Sequence, residues 1–347
     1  MKNSKFFLIS FILVVLFWVL YLFKPFLMNI AIAGLMAVST SNINVKFLTI
    51  FKDKKVISAL ATTLFTLALF FIPFVYAIIE LAKVATNFDI NYIYNTIEYF
   101  KNYNLQLPET LSFIEPKIKE ILANIDLNSI SKNILTYLSS ATKFGTKFLT
   151  DMVLICVFYF FANLYGSQII SYIKTIIPMQ KEETQGILSE VSNVMSVVFY
   201  SMVLNAILQG VLFGIITKIY GYDAFLMGIV FCFSSLLPVV GGALIYVPVS
   251  LYEFANGNLH AALIIFLYSI ITISFIADTL VKPYIIKWIN NKLVKIPTQI
   301  NELLIFFAMI AGISSFGFWG IILGPAILTF FISTLKLYII LKEKHFV

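Results

Sequence analysis

Charge is scarce in this chain. Only 12% of the 347 residues are Asp, Glu, Lys or Arg, and arginine is missing altogether, so all 24 basic residues are lysines. A water-soluble domain of this length needs far more polar surface to cover itself. Cysteine is limited to Cys156 and Cys232, both inside apolar runs. They read as small buried hydrophobes ahead of a disulfide or a reactive thiol. The two histidines, His260 and His345, lie far apart, with no cysteine or carboxylate at ligand spacing, so no metal site is expected. No Ser/His/Asp, Cys/His or paired-carboxylate arrangement points to catalytic residues, and no G-x-x-x-x-G-K-S/T loop exists to hold a nucleotide phosphate. The lysines flank apolar runs and form no stripe, which argues against nucleic acid as a partner. No enzyme activity and no cofactor are expected.

Apolar sequence is what the chain has in abundance, at 60% hydrophobic residues and 35 phenylalanines. Runs such as Phe6 to Phe23, Val56 to Ile79 and Phe148 to Leu164 reach or approach the ~20 residues that cross a ~30 Å hydrocarbon core. The expectation is an all-α, polytopic membrane protein with lipid as its first partner. It has about six full spans plus two Gly/Pro-broken hairpins, eight to ten membrane helices in all. The first apolar run is too long for a signal-peptide core and is followed by another, so it reads as a retained span. Spans are expected at Phe6–Phe23, Phe26–Val38 (a weaker one), Val56–Ile79 and Phe148–Leu164, then a fifth that continues an amphipathic helix begun by Ile187, Val191, Val194 and Val198 and ends near Thr217, and one from His260 to Ile276. Three regions follow: membrane spans over 1–79, a polar amphipathic helical segment over 80–147 on the outer, periplasmic side, and a C-terminal membrane domain over 148–347. In the middle segment Ile114, Ile118, Ile121, Leu122 and Ile125 share one helical face, and Ile130, Ile134, Leu135 and Leu138 another. Fifteen of the 24 lysines fall in the short segments assigned to the cytoplasm and two in the short outer turns. Both termini are therefore expected in the cytoplasm.

The strongest helix breakers sit inside apolar sequence. Ala224 to Leu237 provides 14 residues before Pro238, about 21 Å of helix, and Ala243 to Phe254 provides 12, about 18 Å. Neither arm reaches across ~30 Å. Residues 222–254 therefore read as a hairpin entering from outside, with its tip at Pro238–Gly242. A counterpart over 301–335 enters from the cytoplasm. Its arms are Glu302–Ser315 and Ile321–Leu335, the second interrupted by Gly324-Pro325, and its turn is Phe316–Gly320. Opposed broken hairpins point to a transport site near the midplane, because free backbone groups are tolerated at that depth only when they face protein, water or ligand. Candidate solute contacts are Ser234, Ser235, Pro238, Gly241, Gly242, Gly317 and Gly320; simple turn packing explains the same residues. Asp278 and Lys282 are spaced to pair on one helical face and to gate or couple transport, or to end the span at the interface. Glu302 can carry a proton or simply complement a helix N-terminus. Asn205 and Gln209, four apart in a span, can line a path or bond to a neighbouring helix. Asp151, Glu190, Asp223 and Glu253 read as anchors at span ends.

The stretches "GYDAFLMGIVFCFSSLLPVVGGALIYVPVSLYEF", "DTLVKPYIIKWINNKLVKIP" and "GISSFGFWGIILGPAIL" resemble the autoinducer-2 exporter family of bacterial inner-membrane permeases. The shared signature falls on Pro238, Gly241, Asp278, Pro283, Pro297, Gly312, Gly317, Gly320, Gly324 and Pro325, within about Gly221 to Leu337. Tyr284-Ile285-Ile286-Lys287 departs from it where the family usually carries an Arg and a Gly. The resemblance implies a multi-pass secondary transporter of the bacterial inner membrane, exporting a small solute such as autoinducer-2. It also implies a homo-oligomer, with a pentamer as one form. Two rivals stand beside that reading: a sodium/proton antiporter with Asp278 or Glu302 as proton carrier, and a non-transporting scaffold that uses the outer segment to bind a partner.

Overall fold

The computed structural model describes residues 2–86, 127–176, 181–238, 240–293 and 301–343. Among these residues every regular element is a helix. In chain order they are α1 (Lys2–Phe23), a 3-10 turn (Lys24–Phe26), α2 (Leu27–Ser39), α3 (Ser41–Ile50), α4 (Lys55–Thr86), α5 (Leu127–Ile176), α6 (Lys181–Ile219), α7 (Ala224–Ser234), α8 (Ala243–Ala255) and α9 (Leu259–Tyr268). A π-helical segment (Ser269–Val281), α10 (Lys282–Leu293), α11 (Glu302–Phe316), a second 3-10 turn (Gly317–Trp319) and α12 (Gly320–Glu343) follow. Among the described residues six helical stretches are long and apolar enough to cross a membrane: Phe6–Ser39, Lys55–Glu80, Gly145–Tyr172, Ser189–Ile219, Leu259–Asn291 and Leu303–Leu335. Two shorter apolar helices, Ala224–Ser235 and Ala243–Ala255, fall where the short arms are expected. The protein is a multi-pass membrane protein, all-helical among the described residues.

Several boundaries differ from the sequence reading, each for a local reason. Two antiparallel spans were expected on either side of Lys24-Pro25. Instead the turn there is helical throughout, with Phe23 at φ −86°, ψ 1° and Phe26 at φ −107°, ψ −6°. Such angles bend a chain without reversing it, so Phe6–Ser39 is one bent stretch of 34 residues. At 1.5 Å per residue it is about 51 Å long, more than the ~30 Å core requires. The span expected to end near Ile276 runs on to Asn291, because the π-segment carries the helix past Asp278 and directly into α10, with Pro283 as its second residue. Gly324-Pro325 does not interrupt its arm either: α12 is continuous across it. Pro325 lies only six residues into that helix and forfeits a single backbone bond. The amphipathic face Ile130 to Leu138 belongs to α5, a 50-residue helix that enters the span without a break. The face Ile114 to Ile125 lies outside the described residues.

The chain forms two compact units. One comprises residues 1–67, 150–199 and 290–347, the other residues 68–149 and 200–289. In the first, buried hydroxyls do much of the joining. Thr40 and Thr66 both meet the Tyr159 hydroxyl, at 2.6 and 3.1 Å, and Ser58 and Thr62 both donate to Asn44 Oδ1 at 3.1 Å. Such pairings satisfy polar groups that lipid cannot. In the same unit α11 and α12 fold back on each other at Gly317, whose φ of +64° suits glycine. In the second unit, Phe213 and Phe231 stack at 4.4 Å within a core that also holds Ile216, Ile265 and Ile273.

Candidate functional site

The second unit holds an intramembrane polar cluster. Asn205 and Gln209 are one helical turn apart on α6, so both amides leave the same face. Asn205 Nδ2 and Gln209 Nε2 each donate to Oδ1 of Asp278, both at 2.9 Å. Asp278 comes from the π-segment, a helix form that concentrates at functional positions. The two amide side chains are buried, at 8% and 5% exposure, whereas Asp278 is exposed on its other side. Asn205 Oδ1 is also buried and has no hydrogen-bond partner. All three residues lie within stretches able to cross a membrane. The arrangement therefore offers a carboxylate steadied by two neutral donors, with no basic residue paired to it among the described residues, and an unpaired acceptor oxygen beside it. Chemically it can accept a proton or a small cation.

Sequence spacing suggested an Asp278–Lys282 ion pair. The structure replaces it with the two amides: among the described residues the ion pair within 4 Å is Lys83–Glu80, at 2.6 Å. The π-segment changes the angular spacing between positions 278 and 282, and Asp278 turns toward α6. No group of three or more His, Cys, Asp or Glu is placed to hold a metal ion among the described residues.

The tip of the first hairpin is a tight turn made by its own polar atoms. Ser234 Oγ donates to the Gly241 carbonyl, Ser235 Oγ donates to the Cys232 carbonyl at 2.9 Å, and Gly241 N–H donates to the Leu237 carbonyl at 3.1 Å. Gly241 is buried, and a Cβ there would collide with the Ser234 carbonyl. Gly242 is looser: its Cβ would stand 3.1 Å from the Phe231 ring edge. Pro238 is half-buried beside the turn. Both hydroxyls thus spend their protons inside the tip and keep lone pairs for an outside donor.

In the second hairpin Gly320 is buried and its arms touch backbone to backbone. A Cβ on Gly312 would strike the Gly320 carbonyl, and one on Gly324 the Ala308 carbonyl. Gly317 is exposed at the turn with open space around it. Glu302 begins α11 after Asn301, whose side chain accepts from the Leu303 and Leu304 amides at 3.0 and 3.3 Å. The Glu302 side chain lies outside the described residues.

One arrangement went unread in the sequence. Glu253, at 6% exposure, accepts from the Tyr222 hydroxyl at 2.5 Å and from Asn258 Nδ2 at 3.0 Å. Tyr222 precedes the first arm and Asn258 follows the second, so this carboxylate clasps the base of the hairpin. Burial and then the bonded Glu253 carboxylate push the Tyr222 phenol well above its usual range. Asp223 caps α7, accepting from the Phe225 and Leu226 amides at 2.9 Å each. An acid within an apolar arm was the available signal; its partners come from beyond the arm.

Comparison with known proteins agrees with this picture. The sequence pattern of the family described as "AI-2E family transporter" matches residues 9–340. A protein of Helicobacter pylori (strain ATCC 700392 / 26695) named "Putative transport protein" is 34% identical over 350 residues, covering 100% of this chain and 98% of its own length. A protein of Aquifex aeolicus (strain VF5) with the same name is 25% identical over 265 residues, covering 75% of this chain and 72% of its own.

Proposed function

The chain belongs to the AI-2E family of membrane transporters, and from that premise we propose that it exports a small polar solute of the autoinducer-2 kind across the bacterial inner membrane, as a secondary transporter. The observation that carries the reading is the Asn205–Gln209–Asp278 cluster. A carboxylate kept inside membrane-crossing helices with two amide donors, and with no ion-pair partner among the described residues, is costly unless it is used. Its use here is to bind and release a coupling ion. The solute contact is the first hairpin tip, where Ser234, Ser235 and the backbone around Gly241 and Gly242 present oxygen lone pairs suited to hydroxyl groups.

The test is efflux from proteoliposomes under an imposed proton or sodium gradient, with Asp278→Asn beside the native chain. Gradient-driven solute efflux is expected to vanish in Asp278→Asn while folding in detergent persists. Native-rate, gradient-sensitive efflux in that variant would falsify the coupling role. Substituting Gly241 is no test of solute contact, because any side chain there collides with the Ser234 carbonyl. Gly242→Ala is the usable variant, and it raises the KM for solute if the tip is the contact.

A second reading, sodium/proton exchange with no organic solute, is favoured by one specific feature. Asn205 Oδ1 is a buried acceptor with no partner, next to a carboxylate, as a site for a bare cation or a proton requires. Sodium-dependent pH changes in vesicles with no solute present separate the two readings.

A further inference from the structure

Beside α6 in the second unit lies an apolar groove of about 540 Å³, walled by α4, α6 and α7. Its cause is local. Gly210 and Gly214 on α6 and Gly228 on α7 let the two backbones touch: a Cβ on Gly210 would collide with the Gly228 carbonyl, and one on Gly214 would meet the Ala224 carbonyl at 2.5 Å. Three missing side chains leave the space beside that contact empty. Pro73 of α4 and Leu236, two residues before Pro238 of the hairpin tip, also line it.

The lining holds no Asp, Glu, Asn, Gln, Ser, Thr or His, and its one charged residue is Lys218. A hydroxylated solute would find no hydrogen-bond partner there, which counts heavily against it. The groove is therefore distinct from the proposed solute path. Lys218 lies in the last turn of α6, at the end of the Ser189–Ile219 stretch, where a lysine reaches the headgroup level. It has no ion-pair partner among the described residues; nearby Asp223 is engaged by two backbone amides. From Lys218 to Val203, the lining residue furthest back along α6, is 15 positions, about 22 Å. That exceeds the ~15 Å depth of one leaflet's share of the hydrocarbon core.

We propose that this groove is a binding site for one anionic phospholipid, with an acyl chain lying against Gly210, Gly214 and Gly228 and its phosphate paired with Lys218. The charge at the rim, the apolar lining and the leaflet-scale length together specify an amphiphile with an anionic head. Val211 and Ile215, 54% and 55% exposed, are the side chains that flank the chain in the groove.

The experiment uses the full chain in liposomes containing photoactivatable phosphatidylglycerol or phosphatidylcholine, with labelled peptides mapped by mass spectrometry. Groove peptides are expected to label with phosphatidylglycerol in preference to phosphatidylcholine by about five-fold, the ratio one lysine near a lipid surface confers. Lys218→Gln is expected to erase the preference, and Val211→Trp, which fills the groove, to cut labelling by both lipids. Lys342→Gln, far along the chain, retains the native pattern. Equal labelling by the two lipids in the native chain overturns the proposal. So does an undiminished preference in Lys218→Gln, or cross-linking of the groove to a second copy of the chain in place of lipid.

Discussion

Asp278 takes two hydrogen bonds on a single oxygen, and neither donor carries charge. That leaves the carboxylate's charge whole while fixing its position, which suits an ion exchanged in each cycle better than a permanent ion pair does. Bonds of this kind, to a charged acceptor, contribute about 1.5–3 kcal/mol each. Gln209→Ala is therefore expected to lower the thermal stability of the purified protein by a few degrees and to slow gradient-driven transport, read side by side in one preparation. Asp278→Glu, which keeps the charge and shifts its position by one methylene, is expected to retain part of the transport that Asp278→Asn loses. The sequence made Asn205 and Gln209 legible as partners, because four-residue spacing puts both on one face. It made Asp278 legible only as a separate candidate. Its meeting with the amides spans 69 and 73 positions of chain, and no local pattern encodes a contact at that separation.

At the scale of elements, the hairpins were readable because glycine, proline and arm length are local properties. The 13-residue π-segment was not, since no residue type marks a wider helical turn; only Pro283 just beyond it offered a hint. The missed clasp at the hairpin base has a measurable consequence. Tyr222→Phe or Glu253→Gln removes one hydrogen bond from a buried carboxyl group and is expected to lower stability by about 1–3 kcal/mol. The stabilisation drawn from the raised Tyr222 phenol is present below the usual tyrosine value of ~10 and is lost as pH rises beyond it. Thermal melts of native and Tyr222→Phe protein should converge at high pH. Glycine contacts in the second hairpin give a sharper contrast. Gly312→Val is expected to prevent recovery of folded protein, whereas Gly166→Ala, with nothing within 4 Å of its added Cβ, is expected to be neutral in the same expression assay.

For the whole molecule, the membrane class followed from composition, because a scarcity of charge leaves few other ways to cover 347 residues. Helix continuity did not follow: Lys24-Pro25 looks like a reversal in sequence and is only a bend. Sidedness rests on the lysine distribution and is testable with single cysteines in a background lacking Cys156 and Cys232. Two crossing stretches separate Asp53 from Lys174, and one more separates Lys174 from Gly221. Labels at Asp53 and Lys174 are expected to react from the cytoplasmic side, and a label at Gly221 from the opposite side only; with Phe6–Ser39 crossing once, the N-terminus then falls on the side of Gly221 and not in the cytoplasm, where the sequence reading put it.

The glycine contacts between α11 and α12 carry one more consequence. Where Gly312 meets Gly320 and Gly324 meets Ala308, no side chains stand between the arms that could swing aside. The two arms are locked backbone to backbone, so any displacement of the hairpin would carry both together. Anything that crosses the membrane beside it goes around its edge and never between its arms.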